Sequence, residues 1–275
     1  SNSHTFQPSG IVFRSRTAIS KKRGSKMYFH EPTYDLEILT RQNLHIHTTF
    51  SRCAKPEMTP EAIVAAAEAA GLVEIAMVNH QNYDDPNKTC LSWVQTLRKE
   101  TAQIQTNVKI LLGMEFSCYG IGKTLENDEL RNAVDYRLFA CNHYHVSNWE
   151  HPEDRSPRGY AEHAVAMIRS LLESGKADCI AHPFTAGYIF KDERREQVTA
   201  AITDNELGEL FELAVQQQTA FEINPGAFLS DPVFSRRMWN LGRETGLQFN
   251  VGTDAHRLCN IQTAPLLEGA KAILA

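Results

Sequence analysis

Asn43-Leu44-His45-Ile46-His47 alternates apolar and imidazole side chains. The period of two in a strand puts His45 and His47 on one face, with Leu44 and Ile46 expected to pack against outer helices. One such pair is weak evidence alone, but its grammar, an apolar run that stops at a polar group, recurs down the chain. It returns in Ile75-Ala76-Met77-Val78-Asn79-His80, Leu111-Leu112-Gly113-Met114-Glu115 and Leu138-Phe139-Ala140-Cys141-Asn142-His143. Ile180-Ala181-His182-Pro183, Phe221-Glu222-Ile223-Asn224-Pro225 and Val251-Gly252-Thr253-Asp254-Ala255-His256 complete the series. The terminal polar residues His47, His80, Glu115, His143, His182, Asn224 and Asp254 are spaced by 28 to 42 residues, each about one βα unit.

The spacing predicts seven parallel strands: 43–47, 74–80, 110–118, 136–143, 179–183, 220–225 and 248–254. Helices are expected between them at 59–70, 89–105, 160–174, 204–217 and 231–245. The first opens on Thr59-Pro60-Glu61 and closes before Gly71; Asp204 and Asp231 read as N-caps. Residues 184–201, rich in charge and aromatic rings, read as a longer loop over the rim. In a closed parallel barrel the C-terminal strand ends converge on one rim, so the polar residues meet in space. Six histidines (His45, His47, His80, His143, His182 and His256) then join two carboxylates (Glu115 and Asp254). A buried carboxylate such as Glu115 needs a partner or a cation, and Gly113 relieves crowding on its face.

The rest of the composition is ordinary. The chain has 275 residues, 42% hydrophobic and 22% charged, with a net charge of −5, which argues against a surface built wholly for nucleic acid. No apolar run is long enough to span a bilayer and no secretory signal is visible, so no membrane association is expected and the location reads as cytoplasmic. The six cysteines are scattered and read as reduced, mostly small core residues, with Cys53 set apart. Residues 1–40 are expected to form a basic, flexible extension and 41–275 the barrel: within residues 1–30, Arg14, Arg16, Lys21, Lys22, Arg23 and Lys26 bring +6 with no acid, while residues 31–275 carry −11.

These motifs, in this order from Asn43 to His256, resemble the PHP superfamily, the polymerase and histidinol phosphatase domains of metal-dependent phosphoesterases. His45-x-His47 is similar to the family's first motif, Val78-Asn79-His80 to its Thr-Asp-His and Gly113-Met114-Glu115 to its Gly-x-Glu. Ala181-His182-Pro183 matches Ala-His-Pro, and Gly252-Thr253-Asp254-Ala255-His256 is similar to Gly-Ser-Asp-Ala-His. The resemblance implies an α/β fold, a distorted (β/α)7 TIM-like barrel, with two or three divalent ions (zinc, manganese or iron) at the C-terminal rim. It implies that His45, His47, Glu115 and Asp254 hold the first ion, and that Glu115, His143 and His182 hold the second. His80 and His256 hold the third, whose remaining ligand falls near Arg52 and Cys53; Cys53 either supplies a thiolate or only shapes the loop. Asn79 stands where the family commonly has Asp, which removes a possible carboxylate partner for His80. His145 is an alternative to His143, although strand register favours His143.

Two carboxylates cannot neutralise such an ion cluster, so the pocket should take an anion. The expected chemistry is in-line attack on a phosphoester by a metal-activated hydroxide, with Glu115, Asp254 and His256 as candidate catalytic residues. His145 or Tyr188 could protonate the leaving group. Arg52, Asn224 and Arg257 are candidate substrate-binding residues, with Lys191, Arg194 and Arg195 in the loop after His182 as further cations. The expected partner is a small phosphorylated metabolite or nucleotide. The alternatives are a 3′ exonuclease that uses the basic extension on nucleic acid, and a noncatalytic module stabilised by its metals. Amidohydrolase chemistry lacks the lysine that usually ends the fourth strand. Oligomeric state is not readable.

Overall fold

A computed structural model describes residues 28–81 and 86–275. The basic run from Arg14 to Lys26 lies outside the described residues. In chain order the described elements are α1 (Leu36–Leu39), β1 (Gln42–Ile46), α2 (Pro60–Ala69), β2 (Glu74–His80), α3 (Pro86–Thr101), β3 (Lys109–Gly120) and β4 (Lys123–Thr124). There follow α4 (Asp128–Ala133), β5 (Tyr136–Ala140), α5 (Pro157–Ser174), β6 (Cys179–Ile180), α6 (Arg194–Ala201) and α7 (Asp204–Gln217). The last are β7 (Ala220–Ile223), α8 (Pro225–Phe228), α9 (Pro232–Thr245), β8 (Phe249–Val251), a 3-10 turn at Leu258–Asn260 and α10 (Ala264–Leu274).

Local chemistry sets the helix starts. Thr59, Ser156 and Asp231 each accept a first-turn backbone N–H, and each is followed by proline at the first helical position. Asp204 is not a cap: Thr203 takes that place and forms a reciprocal capping box with Glu206, leaving Asp204 as the first helical residue. The loop expected over 184–201 holds α6, whose Val198 and Thr199 are buried. No helix among the described residues is long and apolar enough to cross a membrane.

Seven parallel strands run in the order β1-β2-β3-β5-β6-β7-β8, nearly closed into a barrel, and β4 pairs antiparallel with the end of β3. Register aligns Ala76 with Leu111, Val78 with Gly113 and His80 with Glu115, then Gly113 with Tyr136 and Glu115 with Leu138. These residues share the interior face, whose apolar layer adds Cys179, Ala181 and Ala220. Gly113 is required there, since a Cβ would lie 2.6 Å from the Tyr136 carbonyl oxygen. Ile46 packs outward on Met58 and Ile63 as expected, but Leu44 joins the interior layer. The reason is a register irregularity between Asn43 and Ile46, which inserts a residue and turns Leu44 inward beside the histidine face.

The barrel closes at its rim, where Ile46 bridges Ala255 and the His47 N–H donates to the Ala255 carbonyl at 2.9 Å. Asn43 fastens this seam. Its amide donates to Thr253 Oγ1 (2.7 Å) and to the Ile261 carbonyl (2.9 Å), while its oxygen accepts the Thr253 N–H (3.1 Å). At the opposite end, residues 28–35 lie against the barrel. The Tyr28 hydroxyl donates to Glu74 (2.8 Å), its ring meets Tyr136 edge-on, and the Tyr34 hydroxyl donates to the Leu247 carbonyl at 3.0 Å.

Candidate metal centre

Strand ends put the polar residues together. β6 stops at Ile180 and β8 at Val251, short of the predicted ends, because the chain leaves extended geometry to present side chains: His182 has φ 27°, Phe184 φ 63° and Asp254 φ 54°. Such left-handed backbone is costly for side-chain-bearing residues and persists where surroundings enforce it. All eight residues expected as ligands fall into four overlapping donor groups: His45, His47 and Glu115; His45, His182 and Asp254; Glu115, His143 and His182; and His47, His80 and His256.

Hydrogen bonds outside these groups set which ring nitrogen faces inward. His45 Nδ1 lies 2.8 Å from Glu222 Oε1, and since a carboxylate only accepts, Nδ1 keeps a proton and Nε2 is the nitrogen available inward. For His47 the argument runs through three residues. Asn79 Oδ1 accepts the Thr48 N–H (3.0 Å) and the Ser51 hydroxyl (2.8 Å); Ser51, its proton spent, accepts from His47 Nδ1 at 3.0 Å. His47 Nε2 therefore has no proton where it faces Asp254 Oδ1 at 2.9 Å and His45 Nε2 at 3.2 Å. His256 Nδ1 donates to the Asp254 carbonyl at 2.8 Å, which again frees Nε2.

The electrostatics divide the rings: burial works against protonation of His45, but Glu222, Asp254 and Glu115 outweigh it and hold its pKa well above the ordinary imidazole range, whereas His47 and His143 lie low. Burial, abetted by His80, holds the His47 pKa at about 3 against the pull of Asp254, and burial likewise holds His143 at about 3. Burial also works against protonation of His80, but Glu115 and Cys53 outweigh it and raise its pKa to about 10. Glu115 is 1% exposed; burial would raise its pKa, yet the surrounding imidazoles, His80 foremost, hold it well below the usual carboxylate range. Its Oε2 has His80 Nδ1 at 2.7 Å and two other ring nitrogens within 3.6 Å, but no hydrogen bond of proper geometry. Imidazole nitrogens and two carboxylates crowded together at the rim are a donor set that fits divalent cations.

The PHP domain family model matches residues 43–226. The chain belongs to the PHP domain family. Asp254 and His256 lie beyond the matched span yet complete the same donor set. A similar solved structure is the histidinol phosphate phosphatase of Lactococcus lactis subsp. lactis Il1403, complexed with zinc, L-histidinol and phosphate. It is 14% identical, the match covers 86% of this chain and 92% of that one, and the TM-score is 0.56. A deoxyribose phosphate aldolase from Aeropyrum pernix also matches, at 13% identity over 86% of this chain and 92% of that one, with a TM-score of 0.38. No curated protein matches the sequence.

Around this PHP centre the other expected residues divide. Cys53 is exposed on the loop after β1, with its thiol hydrogen-bonded to His256 and His80; partial burial raises its pKa, but these bonds prevail and bring it down to about 6. Cys53 is not in any of the four donor groups. Arg52, next to Cys53 in sequence, and Arg257, next to His256, are both exposed. Asn224 caps α8 through Gly226 and Ala227, and its amide donates to the Gly252 carbonyl at 3.2 Å. Arg194 pairs with Asp192 and Arg195 with Glu196, so these two cations are engaged by their own loop. Tyr188 stands at the mouth, 43% exposed, 4.3 Å ring to ring from His145 and 5.9 Å from His143, with Lys191 over its other side at 6.0 Å. Cys90, Cys118, Cys141 and Cys179 are buried thiols, whereas Cys259, expected in the core, is exposed in the 3-10 turn.

Sequence reading left Glu222, Ser51 and the new role of Asn79 unassigned. Glu222 carried a signal: it shares parity with Asn224 on β7, and an acid at an inward position of a buried strand needs a partner. Ser51 carried none, because its part depends on a loop returning over β2.

Proposed function

We propose that this chain is a metal-dependent phosphoesterase that hydrolyses a small phosphorylated metabolite or a nucleotide. The observation that carries this is the convergence of the inward-facing His45 and His47 Nε2 atoms with Glu115 and Asp254 at the open end of the barrel. His45, His47, Glu115 and Asp254 would hold one ion, Glu115, His143 and His182 a second, and His80 with His256, joined by Cys53, a third. Bound divalent ions would polarise the phosphoryl group and generate hydroxide at neutral pH. The chain's own part is to fix ligand orientation, exclude water beneath the rim and present cations to the substrate's charge. Arg52, Arg257 and Lys191 would be the cations offered to the substrate's charge, and His145 and Tyr188, whose rings lie 4.3 Å apart, would serve the leaving group. The histidinol phosphate phosphatase neighbour, which holds zinc and phosphate, supports a phosphorylated substrate.

The test is metal analysis followed by a panel of mono-, di- and cyclic phosphoesters with manganese, iron and zinc. Turnover of a monoester is expected, and His45→Ala and Asp254→Ala should abolish it while the helical circular dichroism persists. Full turnover in either variant, or a protein that neither holds nor rebinds metal, would refute the reading. Activity confined to oligonucleotides would move the assignment to a nuclease.

A further inference from the structure

Glu222 belongs to none of the four donor groups, yet it touches two residues, His45 and His182, that between them enter three of the groups. It is 2% exposed; Oε1 lies 2.8 Å from His45 Nδ1, and Oε2 accepts the backbone N–H of His182 at 2.6 Å. The position is built for it. A Cβ on Gly252 would lie 2.1 Å from Glu222 Oε1 and 2.6 Å from the His45 Cβ, so only glycine lets the carboxylate reach the ring. We propose that Glu222 is a positioning residue that sets the proton of one metal ligand through Oε1 and pins the left-handed backbone of another through Oε2. The inference rests on the metal-centre reading, not on the reaction.

The two bonds differ in a way that makes the idea sharp. The His182 N–H is a fixed donor on a residue with φ 27°, and it demands an acceptor. His45 is a ring with two tautomers, and it will adapt to whatever faces it. Glutamine at 222 keeps the shape of glutamate but has one acceptor oxygen in place of two. The backbone donor takes that oxygen, which leaves the amide NH2 against His45 Nδ1. Nδ1 must then accept, so the ring proton moves to Nε2 and covers the lone pair aimed at Asp254 and Glu115. The substitution should disable the His45 group selectively and leave the Glu115, His143 and His182 group intact.

The experiment uses the full chain stripped of metal and titrated with zinc against a competing chelator, with and without Glu222→Gln. The expected result is a roughly 10- to 100-fold loss of affinity in one class of site, with the other class unchanged. Nitrogen-15 spectra of the zinc-loaded imidazoles should show His45 protonated at Nδ1 in the parent and at Nε2 in the variant. An unchanged titration, an equal loss at both classes, or His45 still protonated at Nδ1 overturns the proposal. Should the glutamine chain fail to fold, Glu222→Asp gives the same test with a carboxylate drawn back from the ring; selective loss supports the role and an unchanged profile overturns it. A parent chain that binds zinc in two classes but cleaves no phosphoester removes the proposed reaction and leaves this inference standing. One that binds no zinc removes both.

Discussion

At the scale of single residues, the site is a set of decisions about protons. The Asn79, Ser51 and His47 relay shows how a buried amide oxygen two bonds away fixes which nitrogen of a ring is free. Ser51→Ala should therefore leave the His47 Nδ1–H unpaired in a fully buried place, at a cost of about 1–3 kcal/mol. Urea denaturation of the metal-free protein measures this; a midpoint equal to the parent's would show that the relay contributes nothing. The eight side chains that cluster at the rim were legible in the sequence because they interrupt apolar runs at inward positions. Glu222 sat in the same kind of run but one step before Asn224, and the later residue drew the assignment. The structure reverses the two: Asn224 satisfies backbone groups at the start of α8, while Glu222 meets His45 and His182.

Elements were legible in proportion to their length. Those that became α2, α5, α7 and α9 announced themselves by period and by polar or proline starts, whereas the short α4, α6 and α8 bury too few residues to leave a pattern. The helix α10 was also missed, because Gly269 within it weakens the helical signal. At the start of α7 the sequence offers Thr203 and Asp204 as adjacent caps, and geometry decides: Glu206 returns to the Thr203 N–H at 2.8 Å. Glu206 also takes Arg158 of α5 at 2.7 Å, and that bond, against slight burial, holds its pKa at about 2. The sign follows from a depressed carboxylate pKa: the stabilisation is full above the unfolded-state value and is lost as the pH falls through about 2. Glu206→Gln should cost about 1 kcal/mol near neutral pH, the pair being partly exposed. Thermal melts across a pH series should show the difference from the parent shrinking below the ordinary carboxylate range; a gap that stays constant in acid would contradict the assignment.

Over the whole molecule, the barrel was readable from the spacing of strand ends, and its closure was not. Nothing in the sequence marked Asn43 as more than the first residue of a strand, yet its side chain ties β1 to the loop after β8 and to Ile261. Asn43→Ala leaves the Thr253 N–H and the Ile261 carbonyl without this partner. The expected cost is about 1–3 kcal/mol, with hydrogen exchange accelerating first along the β1 and β8 edges. Exchange that accelerates uniformly would mean that the seam is no weaker than the rest of the barrel.

The seam also bears on biosynthesis. His47 and Asp254 are 207 positions apart, and the strands that carry them are neighbours only in the finished barrel. As the polypeptide leaves the ribosome, the first two imidazoles are exposed to solvent while their carboxylate partner has yet to be translated. Cation capture by the complete donor set would thus have to await the synthesis and docking of β8.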